Sequence, residues 1–154
     1  VEHKPIEEAE QIKVDYMNRE NIAIKEVITD NAFYSPLKDF IQVPCKEQYA
    51  DIMEFYSTLF HEMIHSTGHR DRLGRLDHTI KLSSFGTEDY SKEELIAELG
   101  ASALVSHCGL ETSSSFRNNT AYIQNWLKVL RDDKRFVISA AGKAEKAVDL
   151  ILNC

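Results

Sequence analysis

Residues 47–68 read EQYADIMEFYSTLFHEMIHSTG, with no proline and no glycine before Gly68. Tyr49, Ile52, Met53, Tyr56, Leu59, Phe60, Met63 and Ile64 recur on one broad face, a helical period that predicts about five turns over Glu47–Thr67, stopped by Gly68. Inside this stretch lies His61-Glu62-Met63-Ile64-His65, an HExxH pattern. Two histidines four residues apart sit one turn apart on the same helix face, so both imidazoles can reach a single divalent ion, and Glu62 projects beside them.

Zinc suits this pair, because it takes neutral imidazole ligands in a tetrahedral site and, in catalytic centres, leaves one position to water. Glu62 is then expected to act as general base, taking a proton from the metal-activated water as it attacks a carbonyl and returning it to the leaving amine. Two histidines do not close a site, and the following helix offers Glu93, Glu94 and Glu98. On the template of zincins that use a glutamate, Glu94 is the third ligand and Glu98, four residues on, orients one of the histidines. The same residues also fit other readings, with Glu98 itself as ligand, Glu94 as the glutamate of a helix-capping box, or both on a solvated face. A further closure is His61-Glu62-x-x-His65-x-x-Gly68-x-x-Asp71, in which Gly68 turns the chain and Asp71 returns to the metal. Against it, that pattern needs a methionine turn downstream, and no Met follows Met63.

His69 is read as a helix C-cap or as a transition-state donor at the cleft rim. His78 and Tyr90 are further oxyanion-donor candidates or plain loop, and His3 and His107 are structural or exposed. Asp39–Pro44 is read either as an extended edge able to pair with a peptide substrate or as a core strand ending in proline.

Outward from the long helix, Pro5 to about Met17 reads as a short amphipathic helix with Pro5 in its first turn, Ile22–Ile28, Phe33-Tyr34 and Asp39–Val43 as short strands. His69–Tyr90 is polar and glycine-containing and reads as a long irregular connection, a kind that tends to be functional. Ser91-Lys92-Glu93-Glu94 has the form of a capping box opening a helix that runs to Gly109, with small residues at Ala97, Gly100, Ala101 and Ser102 that let another element pack closely. Asn118 to about Asp132 and Ser139 to about Leu152 supply two more amphipathic helices. The expected fold class is α+β: a small N-terminal sheet, an active-site helix and a mainly helical second half.

The chain has 154 residues, 43% hydrophobic and 28% charged, with a formal charge of −7. One domain with its own core is expected, needing neither disulfide nor metal merely to fold. The acidic balance argues against a non-specific nucleic-acid or membrane-surface binder. The odd number of cysteines, Cys45, Cys108 and Cys154, without CxxC spacing, argues against a disulfide framework and for a reducing cytoplasm. There is no signal-peptide or membrane-span pattern, and no initiator Met, so residues 1–154 are expected to be a mature fragment or an excised domain of a longer protein.

The run Ala32-Phe33-Tyr34-Ser35-Pro36 with Asp39–Pro44, Tyr56–His69 with Arg72-Leu73, Ser91–Ala101, and Asn119–Leu127 with the Ala-rich last helix resembles, in the same order, the C-terminal metallopeptidase domain of ArdC-type antirestriction proteins. The likeness spans about Ala32 to Leu152, and its TGHxxRL and EELxAELGA elements are more specific than HExxH alone. The HEMIH string is also similar to SprT-type DNA-associated proteases, over five residues only. The ArdC resemblance implies a zincin-like fold, a zinc-type site, and carriage on plasmids or other mobile elements that protect incoming DNA from bacterial restriction. It also implies an N-terminal single-stranded-DNA-binding domain that is not recognisable here, so DNA is expected as a partner only through that missing part.

The leading expectation is a zinc metallopeptidase domain acting in the bacterial cytoplasm on a peptide or protein substrate, with His61, His65 and Glu94 holding the metal and Glu62 as base. Its alternatives are a metal-containing domain that blocks a restriction-system protein or DNA without cutting, and a toxin or effector peptidase with the same chemistry on another target.

Overall fold

The computed structural model describes residues 1–76, 88–110 and 134–154, together with positions 120, 121, 124, 125 and 128. The predicted helix over Asn118–Asp132 falls mostly outside the described residues, as does His78; the few described positions within that helix are helical.

Helix α1 (Glu7–Glu20) opens with Glu7, Glu8 and Glu10 in its first turn, where carboxylates favour the positive end of the helix dipole. It buries Ala9, Ile12, Lys13 and Tyr16, and ends at Asn21, whose left-handed φ of 52° reverses the chain. Pro5 precedes the helix instead of sitting in its first turn, because the extended Ile6 at the N-cap position donates its N–H to the Tyr56 hydroxyl at 3.0 Å.

Strands β1 (Ala23–Val27), β2 (Phe33–Ser35) and β3 (Phe40–Pro44) form one sheet in the order β1-β3-β2. β1 runs parallel to β3, with Ile24 opposite Ile41, and β2 runs antiparallel to it, with Tyr34 opposite Ile41. Side chains alternate across a strand, so Tyr34, Ile41 and Val43 are buried on one face, against the long helix. This order corrects the reading of Asp39–Pro44 as an edge: β3 is the central strand, both its sides used by neighbours, and the edge beside the long helix belongs to β2.

The predicted helix from Glu47 is split. Lys46–Gln48 form a separate 3-10 turn, and α2 (Ile52–Thr67) starts after Asp51, whose carboxylate accepts the Met53 N–H at 2.9 Å. Two interactions hold the earlier segment out of the helix. Lys46 is drawn between Glu10 and Glu26 at 2.8 and 2.9 Å, and the Gln48 amide pairs with both backbone groups of Thr29. Phe55, Leu59, Phe60, Met63 and Ile64 are fully buried, each contributing about 1.5–3 kcal/mol of hydrophobic stabilisation.

Gly68 caps α2, as expected, with φ −76°; its need for glycine is one of space, because an added Cβ would lie 2.8 Å from Leu76 Cγ. The turn beyond it is anchored by Arg72, which donates to both Asp39 oxygens at 2.8 and 2.9 Å, to the Ser66 carbonyl and to Glu20. Burial pushes the Asp39 carboxyl up, but the bonds from Arg72 and Tyr34 outweigh it and hold the group below its ordinary value.

Helix α3 (Glu88–His107) begins before Ser91, so Ser91 is an interior residue and the capping box is not formed. Its hydroxyl is buried with no hydrogen-bond partner among the described residues. The helix end follows prediction: Gly109 has φ +67°, and the N–H groups of Gly109 and Leu110 return to Ser106 and Val105. The last helix, α4 (Lys134–Leu152), starts earlier than the expected Ser139 and buries Ala140, Ala144, Ala147 and Ile151.

α3 packs against both α2 and α4. The closest approach is at Gly100, where an added Cβ would stand 2.6 and 2.8 Å from two carbons of the buried Ile64 side chain. Gly100→Ala is therefore expected to destabilise. Overpacking costs about 1–3 kcal/mol, against about 1 kcal/mol of helix propensity regained. Urea unfolding should show a net loss of about 1 kcal/mol, and a more stable variant would contradict this packing.

Candidate metal centre

Because His61 and His65 are one turn apart on α2, both rings face α3, which approaches closely enough at Gly100 to bring its glutamates to them. Glu94 lies across both histidines, with one carboxylate oxygen 3.1 Å from His61 Nε2 and the other 3.0 Å from His65 Nε2. The two Nε2 atoms are 3.1 Å apart. A tetrahedral ion with bonds near 2.0 Å has ligand atoms about 3.3 Å apart, and one donor atom from each of the three residues lies within 4.8 Å of the others, a spacing that suits a single small divalent ion. Among the described residues His61, His65 and Glu94 are the group that meets this geometry.

The opposite ring nitrogens are occupied by other carboxylates. His61 Nδ1 is 3.0 Å from Glu98 Oε1, and His65 Nδ1 is 2.7 Å from Glu93 Oε2. Each imidazole thus has its Nδ1 directed to a carboxylate and its Nε2 to the shared point, the arrangement that orients histidine ligands. Glu93 was only one of three glutamates in the sequence reading, and its place on His65 is the feature that reading missed. Periodicity says only that Glu93 leaves the helix about 100° from Glu94, not what it meets there.

Burial alone would lower both histidine pKa values, but the carboxylates overcome it. His61 is held well above its ordinary range by Glu94 and Glu98, and His65 is raised to about 9 by Glu93 and Glu94. Conversely, burial would raise Glu93 and Glu94, yet hydrogen bonds to the histidines, and to Arg75 for Glu93, hold both carboxyls low.

Glu62 is buried but stands outside the ligand group. Burial raises its pKa, against the lowering effect of the neighbouring histidines and, least of all, of the Tyr34 backbone. β2 packs on α2, the helix that carries Glu62. Tyr90, expected in a loop, is in the first turn of α3; its phenol is raised by burial and then by the charges of Glu94 and Glu62, which puts it within their field.

Asp71 does not join the histidines. Its side chain is 76% exposed, and its carboxylate lies toward His69 and Arg70. The turn after Gly68 is closed by Arg72 and by the Leu76 N–H on the Gly68 carbonyl, and leaves Asp71 at the surface. His69 follows the C-cap Gly68, where its Nδ1 accepts the Asp71 backbone N–H at 3.1 Å. It is not part of the ligand group. His3 sits on the Tyr49 carbonyl at 2.6 Å, and His107 is at the surface near Glu8, both structural or exposed as expected.

These observations can be set beside known proteins. A family model described as a zincin-like metallopeptidase matches residues 9–143. The Mn(II)-bound crystal structure of the antirestriction protein ArdC from plasmid R388 superposes with a TM-score of 0.76 at 31% identity, over 99% of this chain and 54% of that one. Its metal-free structure gives 0.72 at 33% identity, over 99% and 51%. Among curated proteins, an Escherichia coli DNA primase TraC is 39% identical over 124 residues, covering 80% of this chain and 11% of the primase. An uncharacterized protein of Sinorhizobium fredii, y4eC, is 33% identical over 119 residues, covering 77% of this chain and 37% of its own length. The chain thus spans about half of ArdC and about a tenth of TraC. It belongs to the zincin-like metallopeptidase family, and its relatives are ArdC- and TraC-type proteins.

Proposed function

We propose that this domain is a metal-dependent peptidase with His61, His65 and Glu94 as ligands and Glu62 as general base. The observation that carries the reading is the separation of roles in the geometry: two imidazoles and one carboxylate converge while the buried carboxyl of Glu62, next to His61 in the chain, stays outside the set. Zinc is the first choice from the nitrogen and oxygen donors, and manganese is the second, since the ArdC relative is described as Mn(II)-bound.

A divalent ion held here supplies Lewis acidity, polarising a carbonyl oxygen and lowering the pKa of water to about 7. Glu62 accepts the proton of the attacking water on its carboxylate and delivers it to the leaving amine; its raised pKa suits a group that must both take and give a proton. Glu98 and Glu93 keep the two rings aimed. We assign to Tyr90 the donation to the developing oxyanion, on the support of its lying within the field of Glu94 and Glu62, and His69 is the second candidate for that role. The outer edge of β2, which pairs with no other strand among the described residues and packs on the helix that carries Glu62, suits an extended peptide substrate. We assign its action to the bacterial cytoplasm, on the support of its bacterial and plasmid-borne relatives, and any contact with single-stranded DNA to sequence beyond this chain. No described helix is long and apolar enough to cross a membrane.

A second reading is favoured by the relatives' descriptions, which concern antirestriction and DNA priming and name no peptide hydrolysis. In it the metal centre organises a surface that binds a restriction-system protein or DNA without cutting.

Glu62→Gln separates the two. Metal content and fold should be unchanged, while cleavage of a mixed peptide library, read by mass spectrometry, should fall at least about 100-fold. Undiminished cleavage would sink the general-base assignment, and full antirestriction activity of the variant in cells would favour the second reading. Tyr90→Phe should lower turnover about 10–100-fold with metal retained, whereas an unchanged rate would leave His69 as the donor to test.

The pKa directions give a pH signature. Raised histidines are protonated at neutral pH in the metal-free protein, and those protons must leave when Nε2 becomes a ligand. Calorimetric metal titration in buffers of different ionisation enthalpy should show proton release at pH 7, with apparent affinity climbing as pH approaches about 9. For metal-free stability, the contribution of His65 is fully present below its unfolded value of 6.5 and is lost as pH rises through about 9. Binding heat independent of buffer would contradict the assignment of protons to this site.

A further inference from the structure

Nine residues' worth of chain after α2 return to the metal centre, but with a basic residue in place of the acidic one that the HExxHxxGxxD outline suggested. The turn folds back because Gly68 leaves room for Leu76, whose N–H bonds to the Gly68 carbonyl at 2.8 Å, and the Leu73 N–H bonds to the Thr67 carbonyl at 2.9 Å. That closure delivers Arg75, nearly buried, between α2 and α3.

Arg75 uses its whole fork. Nε donates to Glu93 Oε1 at 2.9 Å and Nη2 to Glu93 Oε2 at 3.2 Å, while Nη2 also reaches the Ile64 carbonyl at 2.8 Å and Nη1 the Thr67 hydroxyl at 2.9 Å. Glu93 in turn accepts from His65 Nδ1 at 2.7 Å. One guanidinium therefore joins the last turn of α2, which carries His65, to the α3 carboxylate that orients His65.

We propose that Arg75 is a positioning residue of the metal centre, acting through Glu93 to hold the Nε2 of His65 toward the ion. The proposal rests on His61, His65 and Glu94 being metal ligands and not on peptide hydrolysis. Its physical basis is charge accounting. Among the described residues the ion-pair partners of buried Glu93 are His65 and Arg75. As a ligand, His65 is neutral, so Arg75 is then the cation that balances Glu93 and keeps its carboxylate as the acceptor of the Nδ1 proton. A lysine would supply charge but not the planar fork that spans two carboxylate oxygens and a carbonyl.

The test is metal affinity of the full chain for Zn2+ and Mn2+, by competition with a chromophoric chelator, in Arg75→Ala, Arg75→Lys, Glu93→Gln and the Arg75→Ala/Glu93→Gln double variant. Each single variant should weaken binding about 10–100-fold, with Arg75→Lys between Arg75→Ala and native. Because Arg75 acts through Glu93, the double variant should be no weaker than the worse single one, and removing the stranded charge should restore stability lost in Arg75→Ala. A residue with a merely structural role would give losses that multiply. Native-like affinity in Arg75→Ala, or multiplied losses in the double variant, would overturn the proposal. If Arg75→Ala does not fold, the double variant should; its failure would equally overturn it. A native chain that takes up neither metal would instead refute the ligand assignment, a result distinguishable because it appears before any substitution is made.

Discussion

The approach of α3 to α2 is the constraint on which the site depends. Glycine at position 100 lets α3 pack closely on the buried Ile64 of α2, and across this contact Glu93 and Glu94 of one turn and Glu98 of the next meet the two imidazoles of α2. The carboxylates are costly to bury, and the histidines offset that cost by drawing protons, which is why the histidine pKa values rise while those of Glu93 and Glu94 fall. A metal ion can take over the positive charge that the protons supply, and the three donor atoms already lie within 4.8 Å of one another.

The sheet serves the other side of α2. β3 occupies the centre because its two buried residues, Ile41 and Val43, pack on the helix while β1 and β2 pair with its two edges. This leaves β2, three residues long, as an edge strand packed on α2, the helix that carries Glu62. Its Tyr34 donates its hydroxyl to Asp39, which holds Arg72 and so the turn beyond α2. One residue of β2 thus braces the turn that delivers Arg75.

Charge in this chain is organised by pairing across elements. Glu10, Lys13, Glu26 and Lys46 form a partly buried square between α1, β1 and the 3-10 turn, with ion pairs of 2.6–2.9 Å. That square bears on an element the local pattern misjudged: Glu47 and Gln48 read as the start of the long helix because no Gly or Pro interrupts the run, but the ion pairs of Lys46 to residues far away in the chain hold Lys46–Gln48 in a separate turn.

The sequence by itself determined the existence of α2, the HExxH pair on one of its faces, the stop at Gly68 and the end of α3 at Gly109, because helical period and capping act over a few residues. It also narrowed the carboxylate donors to Glu93, Glu94 and Glu98 on one helix, with Asp71 as the alternative after Gly68. Only the tertiary structure decided which glutamate meets which nitrogen, that Asp71 stays at the surface, that β3 is central and β2 the edge, and that Ser91 lies inside α3. Those outcomes depend on contacts between residues far apart in the chain, where burial and charge pairing set the energy and local pattern carries no information. Arg75 is the plainest case: nothing around it in the sequence marks it, and its place is fixed by a turn, a glycine and a buried carboxylate that come together only in the folded chain.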